Sequence, residues 1–163
     1  MIFDVQEILK APGTRVRLEG KLDAPADSGD VAFSDDAVFS GTLSNVGGVL
    51  ELEALATGSF TVPCARCTKM TKQSFSVSVF ETLADETADV TDKDAIIPLT
   101  DTAVDLNEVI WPEILLSLQA RYLCKDDCKG LCAMCGADLN ETTCNCHEDD
   151  IDPRLAGLRD LLK

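Results

Sequence analysis

Six of the eight cysteines in this 163-residue chain fall within 23 positions. They run Cys124-x3-Cys128-x3-Cys132-x2-Cys135-x8-Cys144-x-Cys146. The residues between them are short and polar, and they hold too few apolar side chains to build a core. Such a segment folds only if something cross-links it, either disulfides or a metal. The start, "MIFDVQEILKAPGT", has neither a charged leader nor an apolar one. We therefore expect a cytoplasmic protein, where thiols stay reduced and clustered cysteines point to metal or redox chemistry.

The piece "CAMCG" has the form of a zinc knuckle. Two thiolates three residues apart grip one ion, and Gly136 allows the left-handed backbone that follows the second ligand. "CNC" supplies another close pair. The first expected zinc site is therefore Cys132, Cys135, Cys144 and Cys146. Cys124, Cys128 and the distant Cys64 and Cys67 of "VPCARCTKM" are open to a second site, so one or two zinc ions are expected. They are equally open to being ordinary thiols, and Cys128 is open to replacing one of the first four. His147, the only histidine, reads better as a neighbour of Cys146 than as a ligand. A thioredoxin-like role fits poorly, because that motif opens a helix and "CARC" lies between strands. Ferredoxin spacings do not match either.

The remainder predicts an α+β fold. "DVQEILK" carries a capping-box pattern, Asp4 with Glu7, ahead of a short helix that Pro12-Gly13 ends. Val16, Leu18 and Leu22 alternate with charged residues, as in a strand with one wet face. Residues 37–64 read as strand, turn at Asn45 to Gly48, strand, and a further strand. Phe75, Val77 and Val79 alternate with Ser74, Ser76 and Ser78. Together these predict an antiparallel sheet over residues 14–83. Residues 84–103 read as an acidic loop with a short strand at Ala95 to Leu99. Asp105 and Glu108 then open a main helix with an apolar stripe of Leu106, Val109, Ile110, Ile114, Leu115 and Leu118, interrupted by Pro112. This helix is the expected cover of the sheet. Asp152 and Pro153 predict a short terminal helix. We expect residues 1–120 to form the sheet with its helices. Residues 121–163 would form the Cys-rich module and the terminal helix, packed on the first part.

Several functions are excluded or weakened. There is no phosphate-binding glycine loop and no HExxH, and one histidine beside a cysteine cluster makes a hydrolytic triad improbable. No apolar run reaches the ~20 residues of a membrane span. The net charge of −15 opposes binding to bare nucleic acid and suits a basic protein partner. Locally, Arg66, Lys69 and Lys72 form a small basic patch that Lys125 and Lys129 would extend, and the alternative is ordinary surface lysines. A four-thiolate zinc has no open position, so it holds structure and performs no hydrolysis.

"CARC", then "LCKDDCKGLCAMCGADLN" with "CNC", then "DPRLAGLRDLL", resembles the YceD family of large-ribosomal-RNA-subunit accumulation proteins. The resemblance covers most of the chain, and "DLNEVIWPEILLSL" falls where that family has its helix. It implies a non-enzymatic factor in ribosome biogenesis that supports accumulation or processing of large-subunit rRNA. The implied partner is a large-subunit precursor or a basic ribosomal protein, with direct contact to RNA left open. The competing expectation is an adaptor whose zinc-bound thiols respond to oxidation.

Overall fold

The structure, a computed structural model, describes residues 1–25, 28–84, 96–99 and 102–146. The terminal helix expected at Asp152, the position of His147 and most of the acidic loop lie outside the described residues. The chain divides into two compact units. One comprises Met1–Val62 and Met70–Ala120, and the other Pro63–Lys69 with Arg121 onward.

The first unit is built on a sheet of mostly antiparallel strands. β1 (Ile2–Asp4) leads into α1 (Gln6–Lys10), followed by β2 (Arg15–Lys21), β3 (Ala32–Phe33), β4 (Val38–Val46), β5 (Val49–Pro63) and β6 (Met70–Ala84). β7 (Ile97–Pro98) and β8 (Ala103–Asp105) precede α2 (Leu106–Ser117). The main sheet runs β2-β4-β5-β6-β7, with β3 also paired to β5. β7 runs parallel to β6, the exception to the expected antiparallel order. β1 and β8 pair separately as a two-stranded ribbon.

The alternation read from the sequence sets which face is buried. Leu18 and Leu22, Phe39 and Leu43, Leu50 and Leu52, and Phe75 and Val79 all point into the core. The Asn45 to Gly48 turn closes the β4–β5 hairpin, with Gly47 and Gly48 at positive φ. Four expectations are corrected. Residues 49–63 form one strand, not two. Gly58, which suggests a break, keeps the inward parity of Ala56 and Phe60; a Cβ there would lie 2.7 Å from the Phe75 ring, so the glycine marks close packing. Asp4 ends a strand instead of forming a capping box; its carboxylate accepts from the Gln6 N–H at 2.9 Å, and Val5 occupies the N-cap.

The third and fourth corrections concern α2. It ends at Ser117, and Leu115 is exposed. The buried stripe instead includes Trp111, beside Leu106, Val109, Ile110 and Ile114. Asp105 caps the helix by accepting from the Asn107 N–H at 2.9 Å. Pro112 sits inside the helix, where its missing N–H and its ring cost one backbone bond. The helix packs on β6. Trp111 stacks edge-on against Phe33 with centroids 4.7 Å apart, and its indole N–H donates to Asp23 O at 2.6 Å.

Asn45 is the buried polar group that ties α1 to the hairpin. Its amide donates to Ile8 O at 2.7 Å and Leu9 O at 3.1 Å, and its oxygen accepts from Gly48 N–H at 2.8 Å. Replacing it strands buried backbone groups, each costing about 1–3 kcal/mol. Asn45→Ala is expected to lower stability by about 2–4 kcal/mol in urea denaturation. A loss within ~0.5 kcal/mol, the range of ordinary surface changes, would show that water replaces these bonds freely.

Candidate metal centres

Both cysteine groups lie in the second unit. The eight cysteines are free thiols. Their sulfurs gather into two sets of four: Cys64, Cys67, Cys124 and Cys128, and separately Cys132, Cys135, Cys144 and Cys146. Within each set every sulfur lies within 4.8 Å of the others. Cys64 and Cys128 Sγ are 3.8 Å apart, and Cys67 and Cys124 Sγ 3.6 Å. The structure thus brings "CARC" together with Cys124 and Cys128, although 57 to 64 residues of chain separate the paired sulfurs.

The two Cys-x2-Cys turns have one backbone design. In the first, Thr68 N–H donates to Cys64 O at 2.9 Å, and Cys64 N–H to Lys69 O at 2.9 Å. In the second, Gly136 N–H donates to Cys132 O at 2.9 Å, and Cys132 N–H to Ala137 O at 2.8 Å. The residue after the second cysteine takes positive φ in both, 60° at Thr68 and 73° at Gly136. Glycine adopts this readily, whereas threonine is strained there. The bends aim amide N–H groups at sulfur, as with Arg66 N–H on Cys64 Sγ at 3.5 Å.

These donors split the thiols electrostatically. The Arg66 amide is the main cause that brings Cys64 down to about 6. The amide of Cys135, then that of Met134, brings Cys132 down to about 6 in the same way. Desolvation of its sulfur against the other thiols, then the neighbouring Cys67 thiol, pushes Cys124 up to about 12, although the residue as a whole is exposed. The Cys135 thiol, then desolvation of the sulfur among its neighbouring thiols, pushes Cys146 up to about 12, although the residue as a whole is exposed. Four sulfurs this close cannot all carry charge unless a cation joins them. Each set can therefore bind a metal ion.

The sets differ in depth. Cys64, Cys67 and Cys128 are buried, and Leu123 packs against them. Cys135 and Cys146 are exposed, with Cys132 and Cys144 half-buried. The basic residues singled out in the sequence are distributed by the fold. Arg66 donates from its guanidinium to Cys128 O at 2.7 Å. Lys69 pairs with Asp138 at 3.0 Å and also with Glu141. Lys125 lies 3.8 Å from Asp127. Lys72 belongs to β6 in the first unit. Asn140 escapes sequence reasoning altogether. It donates to Cys128 Sγ at 3.5 Å and accepts from Lys129 N–H at 2.9 Å.

The chain thus joins an α+β sheet unit to a unit holding two four-thiolate sets, each able to hold a metal ion. The family model "Large ribosomal RNA subunit accumulation protein YceD" matches residues 52–162. The chain belongs to the YceD family. It is 29% identical to an uncharacterized protein of Mycobacterium tuberculosis, Rv2926c, over 99% of this chain and 81% of that protein. It is 31% identical to YlbN of Bacillus subtilis over 65% of this chain and 62% of that one. A chloroplastic YCED homolog 1 of Zea mays, named as a large ribosomal RNA subunit accumulation protein, is 34% identical over 40% of this chain and 22% of its own length. No solved structure matches. Among the described residues no helix is long and apolar enough to cross a membrane.

Proposed function

We propose that this protein is a non-enzymatic ribosome-biogenesis factor that supports accumulation of large-subunit rRNA by binding. In this reading zinc occupies both four-thiolate sets and holds the second unit in shape. The match to the YceD family over residues 52–162 carries the ribosomal reading. The name printed for the maize homologue points the same way.

Donor chemistry supports zinc. Four sulfurs about 2.3 Å from a common centre in a tetrahedron stand ~3.8 Å apart, near the observed 3.8 and 3.6 Å. Four thiolates leave no position for water or substrate, so the bound ion supplies rigidity only. The chain's own residues do the remaining work: the turn amides hold sulfurs in the thiolate state, and Arg66 and Lys69 tie the loops.

The net charge of −15 favours a basic partner such as a ribosomal protein. With Lys69 engaged by Asp138 and Glu141, the "CARC" loop offers less free positive charge than its composition suggests. Binding to such a partner weakens as salt rises. The deciding experiment depletes the protein in cells and measures the ratio of large- to small-subunit rRNA. A selective fall in large-subunit rRNA is expected, rescued by the natural protein and not by Cys132→Ser/Cys135→Ser. An unchanged ratio would rule out the ribosomal reading for this chain.

A further inference from the structure

We infer that the two four-thiolate centres are coupled, so that filling one strengthens metal binding at the other through a bridge of Arg66, Lys69 and Asn140. This rests on the metal reading above and adds to it the residues that link the sites.

Each bridging residue belongs to one centre's loop and touches the other's. Lys69 lies two residues beyond Cys67, a ligand of the buried centre. Its ammonium pairs with Asp138 at 3.0 Å and with Glu141. Both carboxylates lie between Cys135 and Cys144, within the exposed centre's loop. Asn140, from that same loop, donates to Cys128 Sγ at 3.5 Å. It therefore bonds a ligand sulfur of the centre it does not belong to. Its backbone N–H and side-chain amide are both fixed on Asp138 Oδ1, at 2.8 and 2.7 Å. Arg66, inside "CARC", accepts on its carbonyl from Leu131 N–H at 3.0 Å. Leu131 adjoins Cys132, the first ligand of the exposed centre. Gly130, between Cys128 and Cys132, sits at φ 78° where a Cβ would come 2.9 Å from Arg66 O. The segment joining the centres is thus held against the first turn with no room for a side chain.

Ordering one loop around an ion sets half of every contact that orders the other. The second ion then meets a site whose conformational cost is already met. The effect is reciprocal by linkage: the buried centre gains from the exposed one by the same factor it gives. Couplings of this kind run from about fivefold to 150-fold. The bonds are local, so the coupling does not depend on the sheet unit.

The test is native mass spectrometry of the full, reduced, metal-stripped chain at one Co2+ per chain. Thiolate-to-cobalt absorbance confirms that the ions sit on sulfur. Positive coupling empties the one-ion state in favour of none and two; for two sites of equal strength, tenfold coupling leaves roughly a quarter of chains with one ion, against half without coupling. We expect Lys69→Met/Asn140→Ala, which keeps all eight thiols, still to take two ions but to raise the one-ion share toward half, about twofold for a tenfold coupling. Asn140→Ala alone is expected to raise it partway, so a folding defect in the double variant leaves the test intact. Lys125→Met, outside the bridge, serves as the unchanged control. A one-ion share equal in natural and Asn140→Ala chains would overturn the coupling and leave the metal reading standing. A natural chain that takes up no cobalt on sulfur would overturn both.

Discussion

A strong chelator, added under reducing conditions, is expected to unfold residues 63–69 and 121–146 and to leave the sheet unit folded. The reason is the distribution of buried apolar surface. In the described part of the second unit, the buried cluster is Cys64, Cys67 and Cys128, with Leu123 beside it. That is far too little to offset the ordering of more than thirty residues at about 1–2 kcal/mol each. A structural zinc contributes apparent binding energy of about 10–16 kcal/mol near neutral pH. Without it, four thiols packed within 4.8 Å lose the cation that lets them ionise together. The first unit holds its own core, including Phe60, Leu52, Ile110 and Ile114. Amide resonances of 121–146 should collapse to unfolded positions on chelation and return on adding zinc. Those of β4, β5 and α2 should stay dispersed. If the Cys-rich resonances keep their dispersion in the metal-free chain, hydrogen bonds alone hold that unit and the metal reading fails. The same experiment bears on acid sensitivity. Thiolate ligands bind metal in competition with protons, so metal affinity falls as pH falls.

What the sequence revealed depended on how local each signal was. Alternation in β2 and β6, the Asn45 to Gly48 turn and the Asp105 cap are set by neighbours a few residues apart, and each is visible in the chain. The break expected within residues 49–63 does not occur, and Gly58 shows why. Glycine in an apolar run means either a turn or a close approach, and the choice rests on Phe75, 17 positions away in another strand. Asp4 carries a capping pattern, but the pairing of Ile2–Asp4 with Ala103–Asp105, a contact across a hundred residues, places it at the end of a strand. In α2 the spacing marks a helical stripe, yet it places the exposed Leu115 inward and gives no sign of the buried Trp111 beside a proline. Which apolar residue faces the core is settled by the aromatic ring it meets, Phe33, and not by spacing alone.

The cysteines show the same limit. "CAMCG" and "CNC" lie close enough for spacing to suggest a group of four. For Cys64 and Cys67 only the surplus of thiols hinted at a partner. It is the hairpin of β5 and β6, with its turn between Pro63 and Met70, that presents the pair. The Lys69 contacts to Asp138 and Glu141, and the Asn140 contact to Cys128, carry no sequence signature. A lysine near a basic patch reads as surface charge until its acidic partners appear.

Trp111→Ala should be the most damaging single change in the sheet unit, lowering stability by about 3–5 kcal/mol. The side chain is 5% exposed, and it anchors the helix to the sheet by two independent means. Its ring lies 4.7 Å from Phe33 and 6.4 Å from Phe75, centroid to centroid. Its N–H satisfies Asp23 O, at the end of β2's continuation. Truncation to alanine removes the packing and opens a cavity between α2, β3 and β6 that the backbone closes only in part. Trp111→Phe separates the two contributions. It keeps an aromatic ring in the cluster but leaves Asp23 O without its donor, at a cost of about 1–3 kcal/mol. Denaturation followed by circular dichroism gives both values without needing the lost tryptophan as a probe. A large loss in both variants would assign the anchoring to the hydrogen bond, and a large loss in alanine alone would assign it to packing. A loss under ~1 kcal/mol for Trp111→Ala would mean that Leu106, Val109, Ile110 and Ile114 suffice to seat α2, and that Pro112 interrupts a helix held by its aliphatic face alone.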